Sequence, residues 1–538
     1  MGWTTRSTIH QLVVLMSISL VLSSSQKSAA STTHETLFQC LLHQYPGSSS
    51  TISKVLFTPN TTGYESYWRI RNPRLLHSPA YKPLLILAPT HESHIQASVI
   101  CCRKHGIQLT VQSGGHDYEG LSYLSNEPFM MVNLLNFRSV NVNIVENTAW
   151  VQAGATLGEV YHSVAEKSRV HGFPSGLCHT IGLGGHLSGG GTGTMMRKYG
   201  LGADNVVDAR MVDVNGRVLN RESMGEDLFW AIRGGGAASF GVVLEWKIRL
   251  VLVPPTVTVF NINKTLEEGA TEVVKSWQEI APKLDKRLFV FVTLQGVNVQ
   301  QGSAARKRTV LALFQALFLG RVKELLPLTK KSFPELGLER QHCTEMAWIN
   351  TTVFFAGLPP GSSPDVLLNR TSPYDNVAYK GKYDYVQQPI PEEGLKGLWD
   401  LLLEPTASGI VNLNPLGGKM AKITESEIPF PHRKGNLYDI LYMANWQNEG
   451  DAEKQMDWLK RLHAYMTPYV SKSPRGAYLN AKDLDLGKNI EGKASYSEAR
   501  VWGEKYFKNN FKRLALVKGM VDKDNFFRNE QSIIPLVT

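Results

Sequence analysis

The sequence predicts a protein of mixed helices and strands, of either the α+β or the α/β class, with two or three domains. From Lys82 to about Val253, short apolar runs alternate with amphipathic helical segments, a pattern typical of both classes. After the pair Pro254-Pro255 the predicted strands become longer. The chain of 538 residues, 43% of them hydrophobic, is too long for one core. We therefore expect a domain boundary at the proline pair.

Local patterns define the elements of the first half. Apolar runs predict strands at Leu84–Leu87, Ile107–Gln112 and Phe240–Leu250. A helix is predicted over His91–His105, where apolar residues recur at helical spacing until Gly106 stops it. The dipeptide Asn215-Gly216 lies between two apolar runs and predicts a β-hairpin.

Beyond the proline pair, a second domain is expected over residues 254–470. Its predicted strands are Arg287–Gln295, Arg308–Leu317 and Leu437–Trp446. Asp451–Tyr469 has the periodicity of an amphipathic helix. Residues 471–538 form a third segment.

The first 25 residues have the layout of a secretory signal peptide. Arg6 precedes an apolar run from Leu12 to Leu22, and three serines follow. That run is too short to span a bilayer, and no later stretch reaches the roughly 18 apolar residues that a membrane helix needs. We expect a soluble protein of the secretory pathway, in the cell wall space or the vacuole. Four glycosylation sequons agree and predict surface positions for Asn60, Asn263, Asn350 and Asn369.

Charge and cysteine content narrow the function. The net charge of +10 comes from 57 basic and 47 acidic residues, and no basic run is interleaved with aromatics, so nucleic-acid binding is not expected. Five cysteines entering an oxidising compartment cannot all pair. No Cys-x-x-Cys or Cys/His cluster has zinc spacing, so no metal is predicted to hold the unpaired sulfur.

Two reactive side chains lie in glycine-rich stretches. Cys178 precedes the glycine-rich run that begins at Gly182, and His116 belongs to the segment Ser113-Gly114-Gly115-His116-Asp117-Tyr118-Glu119-Gly120. Imidazole and thiolate are the protein nucleophiles best suited to bond an electron-poor ring system. Considered singly, His116 is typical of a buried hydrogen-bonded histidine and Cys178 of a disulfide partner. Together they predict a doubly tethered flavin.

Glycine density supports a phosphate-binding role for the same region. Between Gly182 and Gly193 seven positions are glycine, which lets main-chain N–H groups approach a pyrophosphate. The run matches neither a Walker loop nor Gly-x-Gly-x-x-Gly. The alternative is a flexible surface loop.

Several motifs together resemble the berberine bridge enzyme-like proteins of plants, flavoproteins of the vanillyl-alcohol oxidase superfamily. The resemblance runs from about Cys40 to Pro535. Besides the His116 segment, its motifs are Gly184-Gly185-His186-Leu187-Ser188-Gly189-Gly190-Gly191, Asp227 to Gly236, Phe430-Pro431-His432-Arg433, Asp483-Leu484-Asp485-Leu486-Gly487 and Asn525 to Ile533.

The resemblance implies an α+β fold: a PCMH-type FAD-binding domain over residues 26–253, rejoined by the C-terminal tail, and a substrate domain of antiparallel sheet and helices. It implies FAD bonded to His116 and Cys178, and a Cys40–Cys101 disulfide that leaves Cys102 and Cys343 as free thiols. The other implied cofactor-binding residues are Ser113, Gly114, Gly115, Gly182, Gly184, Gly185, His186, Ser188, Gly190 and Val243.

The chain departs from the family pattern in the expected pocket. Thr192 and Ala481 stand where many relatives have tyrosine, and Asp439 and Leu441 hold strand positions that are often glutamate, lysine or glutamine. Tyr118 and Asp439 are therefore the candidate catalytic residues, each with a structural hydrogen bond as the alternative.

Ile181 bears on the electron acceptor. It occupies the position, three residues after the cysteine, where valine is associated with oxygen access in the family. A bulkier branched side chain narrows that route. Slow oxidation of the flavin by oxygen is therefore expected.

Three function classes remain open. The first is an FAD-linked oxidase or dehydrogenase of plant specialised metabolism that takes hydride from a bulky alkaloid or phenolic substrate. The second is a non-redox pericyclase, an intermolecular Diels-Alderase, which loss of the pocket tyrosines favours. The third is a binding or defence protein with a vestigial flavin. The sequence identifies neither the substrate nor the electron acceptor, and it does not indicate the oligomeric state.

Overall fold

Parallel and antiparallel sheets occur together in this fold. The computed structural model describes residues 35–44, 52–301, 304–372, 375–490 and 494–537. The predicted signal peptide, residues 1–25, lies outside the described residues. One small sheet contains parallel strand pairs, and the larger sheets are antiparallel. The fold is α+β, which confirms this class over α/β.

Two sheets build the N-terminal half. The strands of the first sheet are β1 (Leu56–Phe57), β2 (Leu85–Leu87), β3 (Gln108–Gln112) and β4 (Phe129–Asn133). Their order is β1-β2-β4-β3, with β4 parallel to both β2 and β3. The strands of the second sheet are β5 (Val140–Asn143), β6 (Thr148–Gln152), β8 (Val206–Val212), β9 (Val218–Leu219) and β10 (Val242–Arg249). Their order is β5-β6-β10-β8-β9, and every pair is antiparallel. A short additional pair consists of β7 (His171–Gly172) and β11 (Val251–Leu252).

The predicted strands and hairpin of this half are confirmed by β2, β3, β10 and the β8–β9 connection. The hairpin turns at Gly216, whose φ of 75° lies in the left-handed region that glycine tolerates without strain. The Gly216 N–H donates to the Asp213 carbonyl across the turn. The backbone requirement of the turn therefore explains the Asn-Gly signal.

Short helices connect these strands. They comprise residues 35–44 (α1), Tyr64–Tyr67 (α2), Glu92–Lys104 (α3), Leu157–Lys167 (α4), Leu183–Ser188 (α5), Met196–Tyr199 (α6) and Arg221–Ile232 (α7). Helix α3 confirms the prediction over His91–His105. Helix α4 begins in a capping box, in which the side chains of Thr156 and Glu159 each accept from the other's backbone N–H.

One disulfide fastens the start of the described chain. Cys40 in α1 is bonded to Cys101 in α3, as the resemblance implied. Cys102 and Cys343 are buried and form no disulfide, which confirms the second part of that prediction. Cys178 is the remaining free thiol among the described residues and is half-buried.

A seven-stranded antiparallel sheet forms the C-terminal half. Its strands are β12 (Val257–Thr265), β13 (Leu288–Gln301), β14 (Ala304–Phe318), β15 (Cys343–Met346), β16 (Ala378–Val386), β17 (Ile410–Pro415) and β18 (Tyr438–Trp446). Their order is β15-β12-β14-β13-β17-β18-β16. The strands predicted at Arg287–Gln295, Arg308–Leu317 and Leu437–Trp446 are confirmed, and the first two extend further than predicted.

Helices cover one face of this sheet. The helices of this half are α8 (Ala270–Ile280), α9 (Val322–Ser332), α10 (Trp348–Phe355), α11 (Glu392–Leu403) and α12 (Ala452–Tyr465). Trp277, Trp399 and Trp458, from α8, α11 and α12, join the sheet in one buried cluster. Helix α12 is shorter than the predicted Asp451–Tyr469 because a 3-10 turn containing Pro468 follows it, and proline cannot continue the hydrogen-bond pattern of an α-helix.

The last two helices pack on the N-terminal half. Helices α13 (Tyr496–Phe507) and α14 (Asn510–Val521) contribute Trp502, Phe511 and Leu514 to the same buried cluster as the strands of the N-terminal sheets. The chain thus returns to its first core after building the second.

The four asparagines of the glycosylation sequons are exposed on the surface, as the sequence predicts. In the parts of the chain that the structure describes, no helix combines the length and apolar character needed to cross a membrane.

Candidate active site

A cavity of about 910 Å³ lies between the two halves of the molecule. Its floor consists of glycine-rich loops of the N-terminal half, and its roof is one face of the seven-stranded sheet. Cavities of this size are typical of cofactor and small-molecule sites.

The first floor loop follows strand β3 directly. Ser113 anchors this loop, because its Oγ donates to the Ala153 carbonyl at 2.5 Å. Gly114 lies so close to Gly182 that a Cβ on Gly114 would come within 2.2 Å of the Gly182 nitrogen. The N–H groups of Gly114, Gly115 and His116 donate no hydrogen bond to another described residue. The loop therefore presents free donors at the cavity wall.

His116 lies on this loop as a neutral imidazole. Burial, followed by the nearby Arg71 guanidinium, lowers the pKa of His116 to about 3. Its Nε2 is 2.8 Å from Thr180 Oγ1. A neutral imidazole retains a lone pair on one ring nitrogen, so His116 can act as a nucleophile.

The second floor loop brings Cys178 to the same place. Cys178 Sγ is 3.4 Å from Thr180 Oγ1, the hydroxyl that also contacts His116. The two side chains predicted to bond the cofactor therefore meet across one buried threonine. Sequence reasoning missed Thr180, because its contact with His116 joins residues 64 positions apart in the chain.

Helix α5 continues the floor with small residues. A Cβ on Gly185 would meet no atom within 4 Å, so this position opens on the cavity. The His186 Nε2 accepts from the Gly176 N–H at 3.2 Å, and burial lowers the pKa of His186 to about 4. Ser188 Oγ donates to the Gly185 carbonyl at 2.8 Å.

The predicted cofactor residues divide into two groups. The structure places most of them on the cavity wall: Ser113, Gly114, Gly115, His116, Cys178, Gly182, Gly184, Gly185, His186, Ser188 and Val243. Gly190 lies outside that lining and packs against the Phe430 ring. Its cofactor contact stays a prediction; its φ of 123° and this close packing account for glycine there.

The alternation of side chains along the strands decides which residues form the roof. Even-numbered residues of β13 and β18 point to the helix-covered core, and odd-numbered residues face the cavity side. Aromatic and aliphatic side chains dominate this surface, and asparagines supply polar groups. The roof residues on the cavity wall are Phe289, Phe291, Tyr379, Tyr383, Ile410, Asn412, Asn414, Leu441, Met443 and Asn445.

Asp439 lies just behind this roof. Its Oδ1 accepts from Asn414 Nδ2 at 2.8 Å. Burial raises the pKa of Asp439 to about 7, although the neighbouring Asn414 and Tyr383 side chains act to lower it. Asp439 is not part of the cavity lining, whereas Asn414 and Tyr383 are. Sequence reasoning missed Tyr383; the alternation of β16 is the signal that could have found it.

Tyr118, the other predicted catalytic residue, lies on the cavity wall beside the roof. Its ring meets Tyr379 edge to face at 5.3 Å and packs on Gly381. Burial raises the pKa of Tyr118 above its usual value, which opposes a role as a base. The departures from the family pattern also line the cavity, at Thr192, Ala481 and Leu441.

The floor fits FAD. It offers free main-chain donors for a pyrophosphate, an open glycine position in α5, and two nucleophiles of the kinds that bond a flavin ring. Fold and site together define a class: a flavoprotein whose cofactor-binding loops form one wall of a cavity and whose large antiparallel sheet forms the opposite wall.

Comparison with known proteins gives the family. The model of the FAD binding domain matches residues 83–221, and that of berberine and berberine-like proteins matches residues 477–534. The chain is 52% identical to tetrahydroberberine oxidase of Berberis wilsoniae, over 89% of this chain and 91% of the relative. It is 47% identical to O-acetylstemmadenine oxidase of Catharanthus roseus, over 96% of each. The chain belongs to the berberine bridge enzyme-like family of FAD-linked oxidoreductases.

Solved structures agree with the fold. The BBE-like protein 28 of Arabidopsis thaliana superposes with a TM-score of 0.86 at 45% identity, covering 94% of this chain and 100% of that chain. Phl p 4, a grass pollen allergen with glucose dehydrogenase activity, gives a TM-score of 0.87 at 43% identity and covers 93% of this chain and 100% of its own. A variant of Phl p 4 with one isoleucine replaced by valine is described as a glucose oxidase.

Proposed function

We propose that this protein oxidises a bulky, largely apolar small molecule of the alkaloid or phenolic type, with FAD bonded to both His116 and Cys178. When bound, FAD supplies a hydride acceptor. The observation that carries the proposal is the aromatic and aliphatic roof, which shares one cavity with the two nucleophiles. Within this substrate range we favour an amine, because a nitrogen lone pair stabilises the developing cation without a base.

Attachment of the cofactor to each of these side chains is an oxidation. Each bond would replace one hydrogen on a cofactor carbon and the proton of the nucleophile, so two protons and two electrons would leave per bond. Dioxygen would be the oxidant that takes them up. The neutral imidazole of His116 and the free thiol of Cys178 are suited to this step.

The roof favours an apolar substrate over a sugar. A carbohydrate carries many hydroxyl groups, and each needs a partner when it is buried. Phe289, Phe291, Leu441 and Met443 cannot supply such partners. They offer the contact surface that a fused-ring or aromatic substrate needs.

Asp439 lies behind the roof and Tyr383 lies within it, and both provide polar groups near the cavity. With a pKa of about 7, Asp439 can hold or release a proton near neutral pH. Tyr383 neighbours this carboxyl and also lines the cavity. Its hydroxyl can therefore connect Asp439 to an amine or hydroxyl group of the substrate.

A second function, an intermolecular Diels-Alder reaction, is favoured by Thr192 and Ala481 on the cavity wall. Residues smaller than tyrosine leave room for two apolar reactants to bind side by side. Holding two reactants together lowers the entropic part of the barrier to their addition.

Anaerobic mixing with candidate amines and phenols separates the two functions. Under our proposal the absorption band of the oxidised flavin disappears as the substrate is consumed, and glucose gives no such change. Formation of an adduct while that band persists would establish the cycloaddition instead. Disappearance of the band with glucose, and with no amine or phenol, would contradict the apolar substrate class.

The I181V variant is expected to react faster with oxygen. Ile181 lies on the cavity wall next to Gly182, and the Phl p 4 variant that carries valine for isoleucine is described as an oxidase rather than a dehydrogenase. Removing one methyl group should raise the rate of flavin reoxidation about tenfold, which corresponds to about 1.4 kcal/mol in the barrier. Stopped-flow mixing of the reduced enzyme with oxygen measures this rate. The I181L variant, equal in size to wild type, is the control; an unchanged rate in I181V would show that Ile181 does not limit access.

The secretory route is a further part of the proposal. The Cys40–Cys101 disulfide fits an oxidising compartment, and the four exposed sequons provide acceptor sites for N-glycans. Their positions are Asn60, Asn263, Asn350 and Asn369.

A further inference from the structure

One hydroxyl lies between the two residues proposed to bond the cofactor. Thr180 Oγ1 is 2.8 Å from His116 Nε2 and 3.4 Å from Cys178 Sγ. Thr180 itself is fully buried, whereas His116 and Cys178 are half-buried on the cavity wall. Packing therefore holds this hydroxyl in place, and it contacts both side chains at once.

The contact with Thr180 can select one tautomer of the His116 imidazole. With its lowered pKa, His116 is neutral at neutral pH and carries one N–H. Nε2 is the ring nitrogen beside the Thr180 hydroxyl, at 2.8 Å from Oγ1. In the tautomer that prepares His116 for attachment, Nε2 carries the proton and donates to Oγ1, and Nδ1 keeps its lone pair.

The hydroxyl proton of Thr180 then points to the sulfur. Once the Thr180 oxygen accepts from His116, its own O–H is free to donate, and Cys178 Sγ lies within reach. The thiolate is the nucleophilic form of cysteine, and a hydroxyl donor stabilises it. Both nucleophiles are thus prepared by the same group.

We propose that Thr180 is the positioning residue for cofactor attachment: its hydroxyl fixes the tautomer of His116 and supports the thiolate of Cys178. The proposal rests on the double attachment described under Proposed function. After attachment the imidazole has lost its proton, and the Thr180 hydroxyl donates to Nε2 in the reverse direction. The Thr180 hydroxyl therefore hydrogen-bonds to His116 both before and after the bond to the cofactor forms.

The test compares two substitutions at this position. T180V replaces the hydroxyl with a methyl group at nearly constant volume, and T180S keeps the hydroxyl. Each protein is purified with its FAD at fixed times after expression, and denaturing mass spectrometry measures the fractions with two, one or no bonds. T192V is the matched control, because Thr192 is a threonine on the same cavity wall whose backbone N–H donates to Tyr478 at 3.2 Å, a bond that the substitution keeps.

We expect the doubly bonded form to accumulate about tenfold more slowly in T180V, the change that loss of one hydrogen bond produces. T180S and T192V should follow wild type. T180A is the second variant without the hydroxyl, and it should share the defect of T180V without adding bulk. Peptide mapping identifies which bond is delayed.

The outcomes separate this proposal from the one on which it rests. Doubly bonded FAD that accumulates at the wild-type rate in T180V or T180A would overturn the role of Thr180 and leave the attachment intact. FAD that washes out of denatured wild-type protein would instead overturn the double attachment itself. A delay in T180S equal to that in T180V would show that the retained hydroxyl does not support attachment and so contradict its role.

Discussion

The K380M variant is expected to lose about 3–5 kcal/mol of stability, the cost of leaving buried carboxylates without their cation. Lys380 in β16 is 2% exposed, and its Nζ contacts Glu119 and lies 2.7 Å from Asp483 Oδ1. Burial acts to lower the pKa of Lys380, but Asp483 and Glu119 raise it overall, so the lysine is charged in the folded protein. Its removal leaves two buried anions with fewer partners.

The surrounding charges explain why the loss should be large. Lys382 Nζ is 2.7 Å from both Asp483 and Asp485, and Arg74 Nη2 is 2.9 Å from Glu119. Three cations therefore face three carboxylates, and the cluster is neutral as a whole. Deleting Lys380 unbalances the cluster where its carboxylates are buried, since Glu119 and Asp483 are both largely shielded from water.

Thermal and urea unfolding of K380M measure the effect, and two controls interpret it. K307M removes one partner of an exposed ion pair with Glu267, so its unfolding midpoint should change little. The double variant K380M/E119Q removes one of the stranded charges and should recover part of the loss. A midpoint for K380M equal to that of K307M would show that the cluster does not stabilise the fold.

The H432F variant is expected to gain stability relative to wild type as the solution is acidified. His432 is 1% exposed, stacks on Tyr385 at 3.9 Å and bonds the Tyr506 carbonyl through Nε2. Burial, followed by the Lys508 charge, lowers the pKa of His432 to about 3. The folded protein thus holds this imidazole neutral far below the pH at which an exposed histidine takes up a proton.

The sign follows from proton linkage. Between about pH 6.5 and pH 3 the unfolded chain carries a proton on this histidine and the folded chain does not, so stability falls as pH falls. Wild type should lose about 1.4 kcal/mol per pH unit in this window relative to H432F, and about 4–5 kcal/mol across all of it. Above the window the histidine contributes no pH dependence. At neutral pH, H432F is the less stable protein because the Tyr506 carbonyl loses its donor.

Urea unfolding of both proteins at a series of pH values measures the difference. Other groups that titrate in this range, such as Asp439, affect both proteins equally and cancel. His77 is exposed, so H77F should run parallel to wild type and serves as the control. A constant difference between H432F and wild type from neutral to acid pH would refute the linkage.

Much of the cofactor cradle could be predicted from the sequence because its signals are local. His116 and Cys178 each lie beside glycines within a few residues, and the Asn-Gly hairpin and the apolar strands are also short-range patterns. These features lie in the structure where the sequence predicts them.

The parts that were missed depend on contacts between distant segments. Thr180 can be recognised as part of the site only once the fold brings its loop against the loop of His116. Tyr383 can be recognised only once β16 is paired with β18. Gly190 shows a related limit: its glycine indicates a close approach, and the structure places the ring of Phe430 there. A glycine in a sequence can indicate a close contact, but it does not identify the group that makes the contact.

The alternation of the roof strands assigns two tasks to separate parts of the molecule. The glycine-rich loops form the floor of the cavity, while alternate residues of β13, β16, β17 and β18 form its roof. A single replacement on the roof can therefore alter which compound is accepted and leave the grip on the flavin untouched.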